Sequence, residues 1–147
     1  MTNKEVKSEM PPNFKELKKE ADRTSNWRGR MDAVEELGQW KNDQTIKLLK
    51  RIMAADTVYK VQVAAYRELK KWGEDVSEPK QKKSDAIKGV SKILLRIKKS
   101  LPQDHTFEQF EEKLKKMRLD VYDTYEGEKG AEFDQWLKST WEDLPGK

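Results

Sequence analysis

The chain has 147 residues, and Lys+Arg 31 against Asp+Glu 27 gives a formal net charge of +4. With no cysteine there is no disulfide framework, thiol nucleophile or zinc knuckle, and a single histidine leaves metal and acid–base chemistry short of its commonest residue. No apolar run approaches the ~20 residues that span a bilayer, and no apolar targeting segment follows Met1, so the expected setting is cytoplasmic.

Charged residues are 39% of the chain, well above the usual ~25%. Five Trp, four Tyr and four Phe nevertheless supply aromatic mass for a core. Charge is unevenly spread. Residues 1–103 hold 24 basic and 15 acidic residues, a net of +9, and residues 104–147 hold seven basic and twelve acidic ones, a net of −5. The densest basic run contains Lys80, Lys82, Lys83, Lys88, Lys92, Arg96, Lys98 and Lys99 against Asp85 alone.

In chain order, residues 1–12 are polar, end in Pro11-Pro12 and read as a disordered or loosely attached arm. Asn13, with Glu16 three residues on, opens a short helix bearing Phe14, Leu17 and Ala21. Asn26 or Ser25 caps a second helix, where Trp27, Met31, Val34, Leu37 and Trp40 recur at helical spacing. Asn42-Asp43 caps a third with Ile46, Leu48, Leu49, Ile52 and Met53. After Asp56-Thr57 a fourth carries Val58, Val61, Ala65, Leu69 and Trp72, and Gly73 ends it. Residues 74–84 form the longest linker. Ile87, Val90, Leu94, Ile97 and Leu101 then make an amphipathic helix over 85–101, stopped by Pro102. Thr106 with Gln109 is a capping-box pair before Phe107, Phe110, Leu114 and Met117. A segment with Val121, Tyr122 and Tyr125 is punctuated by Gly127 and Gly130, and a last helix carries Phe133, Trp136, Leu137 and Trp141. No stretch sustains a period of two, so the chain is expected to be all-α.

A shift of 32 residues superposes Trp27 on Tyr59, Met31 on Val63, Ala33 on Ala65, Glu36 on Glu68, Leu37 on Leu69 and Trp40 on Trp72. A self-match at a period of ~20–50 residues is the mark of stacked helical hairpins. The residues carrying it are Arg30 to Gly38, Thr45 to Leu49, Asp56, and Val61 to Ala65. Over about 25–100 the chain resembles HEAT repeats. The resemblance implies an arginine in the first helix at Arg30 and a turn aspartate at Asp56. Gln62 stands where the second copy would carry its arginine, so an Asp–Arg ladder would break there. The expected architecture is a short HEAT-like solenoid of helical hairpins with an appended C-terminal helical module. It divides into an arm and capping helix over 1–24, a repeat pair over 25–102, and an acidic, Trp-containing module over 103–147. That last module either caps the repeats or stands alone.

For catalysis the chain offers little. His105 precedes a helix cap and has no assignable nucleophile or metal partner. Glu35-Glu36, Glu111-Glu112 and Glu142-Asp143 are sequence neighbours, which splay apart on a helix. Gly127-Glu128-Lys129-Gly130 follows no strand and reads as a helix stop and restart. No enzyme activity, cofactor, metal or small-molecule substrate is expected. Lys88, Lys92, Arg96 and Lys99 instead form one stripe opposite the apolar face of their helix. Lys47, Lys50 and Arg51 occupy comparable places on the second helix of the first repeat. The resemblance implies that these second helices line a concave surface, with the two basic stripes side by side. Such a surface suits a protein partner with an acidic face, or the phosphates of DNA or RNA. Trp136 and Trp141, flanked by acidic residues, are expected to pack on the 107–118 helix, or else to anchor a partner. The expected function is that of a non-enzymatic interaction adaptor or inhibitor, with nucleic-acid binding through the basic face as the alternative.

Overall fold

The structure, a computed structural model, describes residues 7–81 and 85–145. Among them the chain is all-α, its only strand-like feature an isolated parallel bridge between Lys7 and Trp40. No helix of these residues is long and apolar enough to cross a membrane. The chain splits into two compact units, Met1–Gln81 and Lys82–Lys147, each with its own apolar core.

The first unit contains α1 (Phe14–Ala21), α2 (Trp27–Leu37), α3 (Asp43–Ala55) and α4 (Tyr59–Lys71). Short polar side chains set the starts of two of these helices. Asn26, in the left-handed region, accepts from the Gly29 N–H, and Asn42 forms a reciprocal capping box with Thr45. Asn13 is the N-cap of α1 but makes no side-chain bond, so the Asn13/Glu16 box expected from spacing is absent. At the end of α4, Gly73 adopts φ 80, and the Glu74 and Gly73 N–H groups donate to the Leu69 and Lys70 carbonyls at 3.0 Å each. This is a Schellman closure that only a residue without Cβ adopts at no cost.

The helices α2 and α4 begin 32 residues apart, at Trp27 and Tyr59, and pack directly on each other. The matched pairs Ala33/Ala65 and Leu37/Leu69 are buried in the same core. Alongside, α3 packs on α4 and α1 on α2. The loop between α3 and α4 is locked by a buried ion pair. Arg30 Nε donates to Asp56 Oδ2 at 2.8 Å, with side-chain exposures of 3% and 4%. Arg30 Nη1 also donates to the Arg23 carbonyl at 2.8 Å, and Asp56 Oδ1 accepts from the Val58 N–H at 2.9 Å. Gln62, at the position matching Arg30, donates through Nε2 to the Asp56 carbonyl at 2.7 Å. At these two matched positions, a side-chain ion pair from Arg30 and a side-chain-to-backbone bond from Gln62 thus meet at the same turn.

Two segments are held more closely than their composition suggests. Residues 7–12 are not loose: the Lys7 N–H donates to the Gln39 carbonyl at 2.9 Å, and Asn42 Nδ2 donates to the Glu9 carbonyl at 2.9 Å. Residues 1–6 of the arm lie outside the described residues. The linker starts as a strap on the first unit, because Val76 packs on its core and the Tyr59 hydroxyl donates to the Pro79 carbonyl at 3.1 Å.

The second unit holds α5 (Val90–Lys99), α6 (Phe107–Met117), α7 (Leu119–Lys129), a 3-10 turn over Gly130–Glu132, and α8 (Phe133–Asp143). The expected helix over 85–101 begins only at Val90. Gly89 sits at φ 77, which halts helical continuation, and the Ile87 N–H donates to the Tyr125 hydroxyl at 3.2 Å. Val90, Leu94 and Ile97 bury with Phe110, Leu114, Val121, Tyr125, Phe133 and Leu137. The division therefore falls at 81/82, ahead of α5, whereas the sequence grouping placed 85–101 with the repeats. The stop expected at Gly127 is also corrected. Gly127 is buried within α7, and Gly130, at φ 58, ends that helix. Thr106 and Gln109 form the expected capping box, with bonds of 3.2 and 2.9 Å.

Candidate functional site

The structure sorts the basic residues into three sets. On α3, Lys47 and Arg51 stand one turn apart on a face that looks onto α1. With Phe14 and Lys18 of α1 and Gln44 and Leu48 of α3, they line a cleft of ≈ 300 Å³. Arg51 pairs with Asp22, the residue that ends α1. Lys50 turns away and meets Glu74 at 3.2 Å.

On α5, Lys92, Arg96 and Lys99 are exposed and form a single stripe (i, i+4, i+7). They surround the half-buried Leu95 in a shallow hollow of ≈ 520 Å³, closed at one end by Ser100. None of the three makes an ion pair among the described residues. Lys88 was expected on the same helical stripe. It lies in the turn before Gly89, exposed but outside the helix, because α5 starts after that glycine. Lys82 and Lys83 lie outside the described residues. The α3 set belongs to the first unit and the α5 set to the second.

The third set is a single cation, Lys98, whose charge is used at a helix end within its own unit. Lys98 Nζ donates to the Trp141 and Leu144 carbonyls at 2.6 and 2.7 Å, placing a positive charge at the C-terminus of α8. Counted by composition Lys98 belongs to the basic run, but its role is to close a helix end. Its ammonium also lies 5.3 Å from the Trp141 ring centroid.

Both C-terminal tryptophans are half-buried and engaged within the second unit. Trp136 stacks on Tyr125 at 4.7 Å and 6° between planes, with Lys129 Nζ 5.2 Å from its centroid. Trp141 lies 5.5 Å from Phe107 and 6.3 Å from Phe110, and its Nε1 donates to His105 Nε2 at 2.9 Å. Because Nε2 accepts, the ring proton is on Nδ1, which faces the Pro102 carbonyl at 2.5 Å. The histidine thus positions a tryptophan. The aromatic faces that could have anchored a partner are occupied at home.

The second unit also carries an acidic face. Burial raises the Glu111 carboxyl above its ordinary range, and the charges of Asp134 and Glu108 raise it further, with Lys115 opposing. The Tyr122 hydroxyl is raised by burial and then by Glu111, Glu126 and Asp134. Asp120 is lowered, chiefly by its hydrogen bonds from Arg118 at 3.0 Å. The signs are opposite. Asp120 adds stability that is lost as pH falls through its depressed value. Glu111 holds its proton more tightly when folded, so its contribution worsens as pH rises from 4.5 to its raised value and stays unfavourable above. Glu111→Gln is therefore expected to stabilise the second unit at neutral pH by about 0.2–1 kcal/mol, the scale of partly exposed charge pairs. The gain should shrink below pH ~4.5. Urea titrations of both proteins at several pH values check this, and a pH-independent difference would contradict it.

No protein-family model, no curated protein and no solved structure matches this chain.

Proposed function

We propose that this chain is a non-enzymatic adaptor or inhibitor, built on a HEAT-like helical-hairpin pair, that grips a protein partner with an acidic surface. The reading rests on the α5 face, where Lys92, Arg96 and Lys99 stand exposed around the apolar side chain of Leu95. A cationic rim around an apolar centre matches a protein interface, where a desolvated centre holds and flanking charges steer and select. Phosphate backbones ask only for the cations. The half-buried Trp136 and Trp141, taken up by their own core, leave no aromatic alternating with the α5 stripe to stack bases. The Arg30–Asp56 pair and the 32-residue offset of α2 and α4 support the HEAT-like reading of the first unit.

The test is a pair of anisotropy titrations of the intact chain. One uses a synthetic acidic amphipathic peptide and the other a duplex oligonucleotide, at about 50 and about 200 mM salt. The peptide is expected to bind and to retain most of its affinity at the higher salt. The triple variant Lys92→Glu, Arg96→Glu, Lys99→Glu is expected to weaken it by about tenfold or more. Duplex binding falling by ~0.9 log units per log unit of salt for each neutralised phosphate, with no peptide binding, would transfer the surface to nucleic acid.

A further inference from the structure

The open space between α1 and α3 has a structural cause. The first helix packs on α2 and the third on α4, so the facing stripes of α1 and α3 leave a cleft between them. Its floor is apolar, from half-buried Phe14 and buried Leu48. Its rim is cationic, from exposed Lys18, Lys47 and Arg51, with the Gln44 amide beside them. Lys18 and Lys47 make no ion pair among the described residues. A volume of ≈ 300 Å³ lies at the small end of the ~300–1,000 Å³ of ligand pockets. It suits one bulky side chain presented by a peptide.

One carboxylate already occupies this rim. Asp22, at the end of α1, pairs with the guanidinium of Arg51, which lines the cleft. Both partners are 50% exposed, so the pair is weak and open to exchange. A guanidinium with five donors accepts an incoming carboxylate as readily as the resident one.

We propose that the α1–α3 cleft is a recognition pocket for an acidic peptide segment of a partner protein. The segment inserts one bulky apolar side chain between Phe14 and Leu48, sets its carboxylates on Lys18 and Lys47, and displaces Asp22 from Arg51. This rests on the acidic-partner reading above and gives that partner a second point of attachment, on the first unit, in addition to the α5 face of the second, with Asp22 as a built-in competitor. Charge complementarity selects the occupant. An apolar floor contributes nothing to a phosphate, and the lone apolar group of an uncharged peptide would leave three cations unused.

The experiment titrates the acidic amphipathic peptide into the wild-type chain and three variants. Lys18→Glu with Lys47→Glu is expected to weaken binding by about tenfold or more. Asp22→Asn is expected to strengthen it by about two- to fivefold, a gain that simple loss of structure cannot produce. A peptide whose bulky apolar residues are replaced by serine is expected to lose binding to all forms. If the Lys92→Glu, Arg96→Glu, Lys99→Glu variant loses the peptide while the cleft variants keep it, the cleft is overturned and the α5 reading stands. If no form binds the peptide and all bind duplex, the acidic-partner reading itself falls. Unchanged or weaker binding by Asp22→Asn overturns the displacement.

Discussion

Asp56→Ala is expected to destabilise the first unit by about 3–5 kcal/mol, the usual result of stranding one partner of a buried ion pair. The Arg30 guanidinium is 3% exposed and would keep only the Arg23 carbonyl. The Val58 N–H, at the start of α4, would lose its acceptor as well. The loss is thus concentrated where α2, the end of α3 and the start of α4 meet. Replacing both members by apolar residues, as in Arg30→Met with Asp56→Leu, is expected to recover much of the stability, because no charge is then left buried. Gln62→Ala is expected to cost about 1 kcal/mol, the scale of one neutral hydrogen bond. Urea unfolding followed by tryptophan fluorescence reads all three. An Asp56→Ala loss below about 1 kcal/mol would show that the pair is dispensable, as exposed pairs are.

In the second unit the matching expectation is Phe110→Ala, at about 3–5 kcal/mol. Phe110 is fully buried, and its ring lies beside Phe107 and Trp141. Removing it opens a cavity under α5 and beneath the Trp141 ring, where neighbours held by the His105 and Lys98 bonds have little freedom to collapse inward. Met117→Ala, on the same helix but 58% exposed, is expected to change stability by no more than about 0.5 kcal/mol. Calorimetry of both variants decides the matter. Equal effects would mean that Phe110 is not central to this core.

Much of the fold is legible because the signals are local or repeated. Asn42, Thr106 and Gly73 announce helix ends through chemistry confined to a few residues, and Ala33/Ala65 and Leu37/Leu69 mark two equivalent faces. Other features were not legible, for identifiable reasons. The apolar stripe of α5 reads the same whichever core receives it, so nothing local assigns Val90, Leu94 and Ile97 to Phe110 and Leu114. Gly89 and Gly127 look alike in sequence, yet one sits at positive φ and halts a helix while the other is buried inside one. The hold on residues 7–12 is not legible, because a backbone bond to the Gln39 carbonyl and a bond from the Asn42 side-chain amide leave no trace in composition.

The candidate surfaces show the same limit. Lys47 and Arg51 were found by helical spacing, but Lys18 and Phe14 belong to another helix and join them only through packing. Lys98 counts as one more cation by composition, and only the position of the α8 carbonyls shows where its charge is used. Trp136 and Trp141 offered two readings by pattern. The partners that occupy them, Tyr125 and His105, lie 11 and 36 residues away.

Binding of an acidic protein through the basic faces is most directly tested by capture from a lysate of the source cells. Wild-type chain and the Lys92→Glu, Arg96→Glu, Lys99→Glu variant serve as parallel baits, each with and without nuclease. A near-stoichiometric protein retained by the wild type after nuclease treatment, and lost from the variant, is the expected result. Recovery of nucleic acid alone, with every captured protein released by nuclease, would contradict it and make the α5 stripe a phosphate-binding surface.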